Sequence, residues 1–190
     1  MTPAPSTEQL TRAEQARQTK ENILGTALRL FAERGYDATS LQDIADEIGL
    51  TKAAVYYHYR SKSAILQALA DPVYEVMSAA NRRAAGLRSR RQRVEALVND
   101  YIDMLLAHRD MMRVLANDPI MRGHMKAART MDNQIAESLR LLFGEKPTID
   151  QRLALHTAAC LSEAVAAMPD VPDDELRPAL DRAMRRLLPG

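Results

Sequence analysis

The sequence contains no tryptophan, only two phenylalanines and only seven glycines in 190 residues. Aromatic residues favour strands, whereas the alanine, leucine, arginine and methionine that are abundant here favour helices. These scarcities therefore predict an all-α fold. Hydrophobic residues make up 46% of the chain and charged residues 27%, which is typical of a folded globular protein.

A single cysteine excludes an internal disulfide framework. No apolar run reaches about eighteen residues, so we expect no transmembrane helix. The N-terminus has no apolar signal core, so we expect a cytoplasmic protein with no membrane partner. The net charge of +1 gives no global argument for a nucleic-acid partner.

Catalytic motifs are missing as well. The sequence has no G-x-S-x-G elbow, phosphate-binding loop, dinucleotide fingerprint or H-E-x-x-H. His156, Cys160 and Glu163 share one helical face at a spacing that suits a metal, but the alanines beside Cys160 favour a packing role for it. We therefore predict no enzyme activity, no metal and no cofactor.

The most informative stretch, residues 39–62, has the pattern of two short helices joined by a sharp turn. Apolar residues fall on one face of the first helix, for which Thr39 is the expected N-cap and Gln42 completes a capping box. Gly49 stands where a helix must stop in a left-handed conformation, which glycine adopts at little cost. The stretch predicts a helix-turn-helix; the alternative is an ordinary helical hairpin.

The second helix of this motif, residues 52–58 with Thr51 as its expected cap, has an outer face suited to DNA. No acidic residue lies among its polar side chains. Small side chains allow close approach to base edges, whereas lysine, tyrosine and threonine reach phosphates. We predict that this helix enters a major groove and that DNA is contacted by Thr39, Gln42, Thr51, Lys52, Ala53, Ala54, Tyr56, Tyr57 and His58.

Residues from about Thr19 to Leu66 resemble the DNA-binding domain of the tetracycline-repressor (TetR) family of bacterial transcription regulators. The pattern A-x-x-x-F-x-x-x-G-Y-x-x-T-S-x-x-x-I-A is present, and G-L-T-K-A-A-V-Y-Y-H-Y-x-S-K follows it. Tyr59 stands where phenylalanine is commoner. The resemblance covers about a quarter of the chain, and no motif matches beyond Leu66. It implies that Lys62 and Arg17 also lie near DNA.

The chain is expected to have three parts. These are a flexible arm (residues 1–16), a helix-turn-helix DNA-binding domain (17–62) and a helical regulatory and dimerisation domain (63–190). The resemblance implies that the arm lies across a phosphate backbone or enters a minor groove; the alternative is a disordered tail without a role. About nine helices are predicted: 19–34, the two of the motif, a fourth from residue 62, 90–107, 110–117, 119–143, 148–167 and 173–188. The fourth helix belongs to both domains and is a lever that couples them.

Six methionines between residues 97 and 131 indicate a binding cavity, because methionine adapts to ligands of varied shape. The resemblance places a ligand pocket in this region, with His124 as a further polar candidate. The alternative is that the methionines only fill the core. The predicted pocket residues are Tyr101, Met104, Leu105, His108, Met112, Leu115, Met121 and Met125.

Two C-terminal segments, residues 148–167 and 173–188, carry surplus apolar surface and predict a two-fold homodimer. We predict a dimeric repressor that a small-molecule effector releases from a palindromic double-stranded operator. The alternatives are a ligand-independent regulator, an activator, or an all-helical small-molecule binding protein. The arginines of residues 82–93 form a second nucleic-acid patch or, alternatively, a solvated and partly salt-bridged turn.

Overall fold

The computed structural model describes residues 11–121, 123 and 130–189. Every helix or strand whose bounds lie in these ranges is an α-helix, which confirms the predicted fold class. The chain divides into two units, Met1–Ile65 and Leu66–Gly190. The helices are α1 (Arg12–Arg34), α2 (Leu41–Glu47), α3 (Lys52–His58), α4 (Lys62–Ala85), α5 (Arg90–Ala107), α6 (Arg109–Asn117), α7 (Thr130–Phe143), α8 (Ile149–Ala159), α9 (Leu161–Ala166) and α10 (Asp173–Leu187).

Helix α1 begins at Arg12, seven residues before its predicted start. A capping box that the sequence analysis missed sets this start, because Glu14 N–H donates to Thr11 Oγ1 (3.3 Å) and Thr11 N–H donates to the Glu14 carboxylate (2.6 Å). The hydrogen bonds that the Thr11 hydroxyl and backbone N–H donate to the Glu14 carboxylate lower the pKa of Glu14. Residues 12–16 of the predicted arm are therefore helical, and residues 1–10 lie outside the described residues.

The core of the first unit packs α1 on α2, and α2 on α3. The buried stripe of α1 is the predicted one: Ile23, Ala27, Leu30 and Phe31. Ile44 and Ala45 of α2 and Val55 of α3 are fully buried, so each short helix is anchored by apolar side chains.

The cap of α2 is Ser40, not the predicted Thr39. Asp43 N–H donates to Ser40 Oγ (3.1 Å), and Ser40 N–H donates to the Asp43 carboxylate (2.7 Å). Thr39 is only 1% exposed and donates its hydroxyl hydrogen to the carbonyl of Gly35 (2.9 Å). Thr39 therefore secures the turn after α1 from the inside.

Lys62 at the start of α4 also secures that turn. Its Nζ donates to the carbonyls of Tyr36 (2.6 Å) and Asp37 (3.1 Å) and lies 4.6 Å from the centroid of the Tyr36 ring. An ammonium group has three donors, so two are occupied here. Because Tyr36 is buried and packs on Phe31, Lys62 ties the start of α4 to the core of the first unit.

In the second unit, the predicted helix 148–167 is divided at Cys160 into α8 and α9. The carbonyl of Ala159 accepts hydrogen bonds from the hydroxyls of Tyr101 (2.6 Å) and Ser162 (3.1 Å). Glu163 N–H, which would bond this carbonyl in a regular α-helix, donates to Cys160 instead (3.0 Å). A side chain from α5 thus interrupts the helix.

The rest of the second unit packs around α5, which contacts α6, α7 and α10. The predicted helix 119–143 includes residues outside the described part. Within that part, residues 119–121 are helical and α7 begins at Thr130. In the described residues, no helix has the length and apolar character needed to cross a membrane.

Gly49 provides the first test of the fold. Its φ is +69°, and a Cβ there would meet nothing within 4 Å, so a Gly49→Ala substitution strains only the backbone. We expect a loss of about 1–2 kcal/mol in the free energy of unfolding, measured by urea denaturation. Gly25→Ala is the matched control, because Gly25 is exposed inside α1 with the same free space, and we expect a gain of about 0.5–1 kcal/mol. Equal effects at the two glycines would contradict this account.

Lys62 provides the second test. Lys62→Met keeps most of the aliphatic stem but removes two hydrogen bonds and the contact with the Tyr36 ring. We expect a loss of about 1–2 kcal/mol in the free energy of unfolding. Lys52→Met is the control, because Lys52 is exposed on α3, and its effect should stay within about 0.5 kcal/mol. If the two variants unfold at the same urea concentration, Lys62 has no structural role.

Candidate DNA-binding surface and ligand cavity

Three local features set the position of α3. Leu50 N–H donates to the carbonyl of Ala45 (2.9 Å) across the turn at Gly49, whose left-handed conformation ends the α2 segment as predicted. Thr51 caps α3 as predicted, since its side chain accepts from Ala54 N–H (3.1 Å). Val55 fixes the inner face in the core, so the opposite face of α3 is turned to solvent.

This outer face carries large side chains that have no core to pack against. Tyr57 is 76% exposed and Tyr56 is 45% exposed. The Arg60 guanidinium lies 5.1 Å from the centroid of the Tyr56 ring, and the His58 ring stands edge-on to Tyr57 at 5.3 Å. The aromatic rings thus combine with a cation on one exposed surface, which is a composition suited to phosphates and base edges.

Acidic side chains near this surface have partners within the first unit. Glu47 pairs with Arg29 at 2.5 Å, which also contacts Glu33, and these carboxylates raise the pKa of Arg29. The hydrogen bonds from Ser40 lower the pKa of Asp43. Among the described residues, no ion pair includes Lys52 or Arg60. The cations around α3 therefore keep their charge available for a partner.

The structure brings most of the predicted DNA contacts to this face. Thr51, Lys52, Ala53, Tyr56 and Tyr57 are exposed, and Ala54 and His58 are half-buried. Gln42 is exposed on α2, where its amide donates to Asp46 (2.6 Å). Arg17 is exposed on α1 in an ion pair with Glu21. The exception is Thr39, whose burial and internal hydrogen bond are incompatible with the predicted phosphate contact.

A cavity of about 50 Å³ lies in the second unit. It is bounded by α4, α5, α7, α8 and α10, and its wall is almost entirely aliphatic. The lining residues are Met77, Leu97, Val98, Tyr101, Met131, Ile135, Ser138, Leu142, Leu155, Ala158, Ala159, Met184 and Leu188.

Among the predicted pocket residues that the structure describes, only Tyr101 lines this cavity. Met104, Leu105 and Met121 are buried core residues, and Met112 packs against the core from outside. His108 links α5 to α6, and Leu115 is half-buried on α6. The predicted Met125 and His124 lie outside the described residues. The stripe Met131, Ile135, Ser138 and Leu142, with helical spacing on one face of α7, was the signal that the sequence analysis missed.

A buried polar cluster beside the cavity also escaped the sequence analysis. Asn81 of α4 is 3% exposed, and its Nδ2 donates to the carbonyl (3.2 Å) and the side-chain oxygen (3.0 Å) of Gln134. Ser138 donates to Asn81 Oδ1 at 2.8 Å. Asn81 lies among buried apolar residues of α4. A buried polar side chain in such a stripe is expected to have a hydrogen-bond partner inside the protein, and this was the available signal.

The arginines of residues 82–93 are largely engaged in holding the second unit together. Arg83 pairs with Asp100 at 2.6 Å, and the Arg90 guanidinium lies 5.1 Å from the centroid of the Phe143 ring. Arg93 donates to the carbonyl of Leu141 (3.0 Å). These contacts favour the salt-bridged turn over a second nucleic-acid patch. In the described part of the chain, no group of three or more His, Cys, Asp or Glu residues is arranged to hold a metal ion.

Comparisons with known proteins agree with this geometry. The family described as "Bacterial regulatory proteins, tetR family" matches residues 23–69. IcaR of Staphylococcus aureus (strain Newman), a biofilm operon HTH-type negative transcriptional regulator, is 46% identical over 48 residues, which are 25% of this chain and 26% of IcaR. The matches cover between 16% and 30% of the length of such curated relatives.

Solved structures extend the similarity to almost the whole chain. A TetR/AcrR family regulator from Thermobifida fusca is 30% identical, with 91% of this chain and 98% of that chain covered and a TM-score of 0.56. The SmeT–triclosan complex is 25% identical, with 90% of each chain covered and a TM-score of 0.65. Because a relative 30% identical is matched along 98% of its length, and the family match falls on the helix-turn-helix, the chain belongs to the TetR family of bacterial transcription regulators.

Proposed function

We propose that this chain is a dimeric transcription repressor that leaves its operator when a small molecule occupies the second unit. The observation that carries the proposal is the exposed face of α3, on which aromatic rings and unpaired cations stand without a core to bury them. The first unit is the DNA-binding part, and the second unit binds the effector and the partner subunit. As a regulator of bacterial genes it acts in the cytoplasm, where the DNA lies.

Helix α3 enters a major groove in this proposal. Lys52, Ala53, Ala54 and Tyr57 meet base edges together with Gln42 of α2. The pose is fixed on phosphates by Thr51, Tyr56, Arg60, Arg17 and the third donor of Lys62. Since phosphate contacts carry no sequence information, the choice of operator depends on the first group of residues.

A homodimer is supported by apolar residues that the second unit leaves uncovered. Ile149 is 81% exposed and Leu153 64% exposed, and the two share one face of α8 at i and i+4. Met168 follows α9 with 38% of its surface exposed. Burial of such a face against its symmetry mate forms a four-helix arrangement and sets two α3 helices at a fixed spacing, as a palindromic operator requires.

Control by a ligand is supported by the cavity and by a relative. SmeT has been solved with triclosan, and IcaR is a negative regulator. A ligand changes the affinity for DNA only through different contacts in the two functional states of the protein. An activator or a ligand-independent regulator would share the DNA-binding surface but would not be released by an effector. An all-helical carrier would select no DNA sequence.

The DNA-binding function is tested by selection of bound genomic fragments, followed by titration of the selected site at several salt concentrations. With roughly three or four phosphates neutralised per subunit, the slope of log affinity against log salt should be about −5 to −7 for the dimer. Arg60→Ala should reduce the magnitude of this slope by about 2, because one phosphate contact is lost in each half-site. Lys146→Ala, which removes an exposed cation of the second unit, should leave the slope unchanged. Recovery of no specific fragment would favour the carrier.

The dimer is tested by Leu153→Arg. Burial of an unpaired charge in the interface should cost several kcal/mol, so analytical ultracentrifugation should show monomers. Ala32→Arg adds the same charge at an exposed position of α1 and should leave the dimer intact. Leu180 is unsuitable for this test, because it is buried within its own subunit. A dimer that survives Leu153→Arg would mean that the interface lies elsewhere.

A further inference from the structure

The wall of the cavity presents very few polar groups. Of the thirteen described residues that line it, only Tyr101 and Ser138 have side chains that can form hydrogen bonds, and none of the thirteen is charged. An ionic ligand would therefore be buried without a counter-charge, which is strongly unfavourable. The composition of the wall selects for an uncharged ligand.

The hydroxyl of Tyr101 is already in use. It donates its single hydrogen to the carbonyl of Ala159 at 2.6 Å. Burial raises the pKa of Tyr101 far above its usual range, so the phenol stays neutral. Tyr101 therefore shapes the cavity and holds the break between α8 and α9, and its hydrogen is not available to a ligand.

Ser138 is the stronger acceptor of the two hydroxyls, because the lone pairs of an aliphatic hydroxyl are not delocalised into an aromatic ring. The side chain is 5% exposed, and Oγ has two acceptors for its single hydrogen: Asn81 Oδ1 at 2.8 Å and the carbonyl of Gln134 at 3.0 Å. Both bonds of the Asn81 amide to Gln134 keep Oδ1 directed to Ser138. In the described residues, no group donates to Ser138 Oγ. The buried hydroxyl is thus held as an acceptor.

We propose that the cavity binds a compact, uncharged and mostly apolar effector with one hydroxyl or N–H donor, which bonds to Ser138 Oγ. This inference rests on the proposed function only in naming the ligand an effector. Asn81 and Gln134 are positioning residues, since they fix the direction of the Ser138 hydrogen without touching the ligand. Single-ring phenols and aromatic amines have the required chemistry.

The volume of the cavity limits the size of the ligand. About 50 Å³ is available, whereas an engineered cavity of about 150 Å³ in another protein holds benzene. Met77, Met131 and Met184 belong to the wall, and their unbranched side chains enlarge the space by changing rotamers. A single ring is accommodated in this way, and larger ligands require helices to separate.

The test is calorimetry on the full-length chain with three matched probes at neutral pH. Para-chlorophenol has a donor, para-chlorotoluene replaces the hydroxyl with a methyl group of similar size, and para-chlorobenzoate is charged. We expect para-chlorophenol to bind roughly tenfold more tightly than para-chlorotoluene, because only the phenol satisfies Ser138. Para-chlorobenzoate should show no binding at the same concentrations.

Variants show whether Ser138 is responsible. Ser138→Ala should reduce the preference for the phenol to within about twofold, while the affinity for para-chlorotoluene is retained. Tyr101→Phe removes the other hydroxyl of the wall and should keep the preference. A binding signal for para-chlorotoluene in Ser138→Ala also shows that this variant is folded.

The inference is overturned if the benzoate binds as tightly as the phenol, if Ser138→Ala keeps the preference, or if no probe binds. Each of these results leaves operator binding by the first unit untouched, so the proposed function would stand. The preference for the phenol in a protein that selects no DNA fragment would instead support the cavity assignment and overturn the proposed function.

Discussion

The architecture of the first unit is constrained by the length of α3, which is too short to hold its orientation alone. A helix of seven residues is not stable alone, so its orientation is supplied by its neighbours. Val55 fixes its inner face, Thr51 caps its start, and the left-handed Gly49 sets the angle of approach. Only one face of α3 packs against the core. The opposite face therefore has no packing role and can carry residues suited to a partner.

The cap of α2 illustrates how far local sequence predicts this unit. The buried stripe of α1 and the roles of Gly49 and Thr51 follow from helical spacing and residue type, and the structure has them as predicted. Threonine and serine are both favoured at helix N-caps, and Thr39 and Ser40 are each followed three residues later by a side chain that can complete a capping box. Their local patterns are equivalent. The choice is tertiary, because Thr39 lies against the carbonyls at the end of α1.

The residues that line the cavity could not be predicted from any one segment of the sequence. The methionines of residues 97–131 identified adaptable side chains, but helical spacing does not say which stripe faces which neighbour. The wall combines α4, α5, α7, α8 and α10, so Leu155 and Met184 reach it from helices that are far apart in sequence. Tyr101 was predicted as a polar residue within the methionine-rich stretch, and it lines the cavity. The sequence shows Ser138 and Asn81 only as polar residues in otherwise apolar stripes and does not indicate that they pair.

The interruption at Ala159 lies at the end of α8, the helix that both lines the cavity and carries the uncovered apolar face. Its carbonyl is taken from the helical ladder by Tyr101, a residue of the cavity wall, and α8 on one side of the interruption carries the uncovered Ile149 and Leu153. One continuous helix is thereby replaced by two shorter helices, α8 and α9, with a break at Cys160. The backbone hydrogen bonds that remain across the break run through Cys160, which donates to His156 and accepts from Glu163. In the proposed dimer, a ligand that displaces Tyr101 would therefore act on the same break that ends α8.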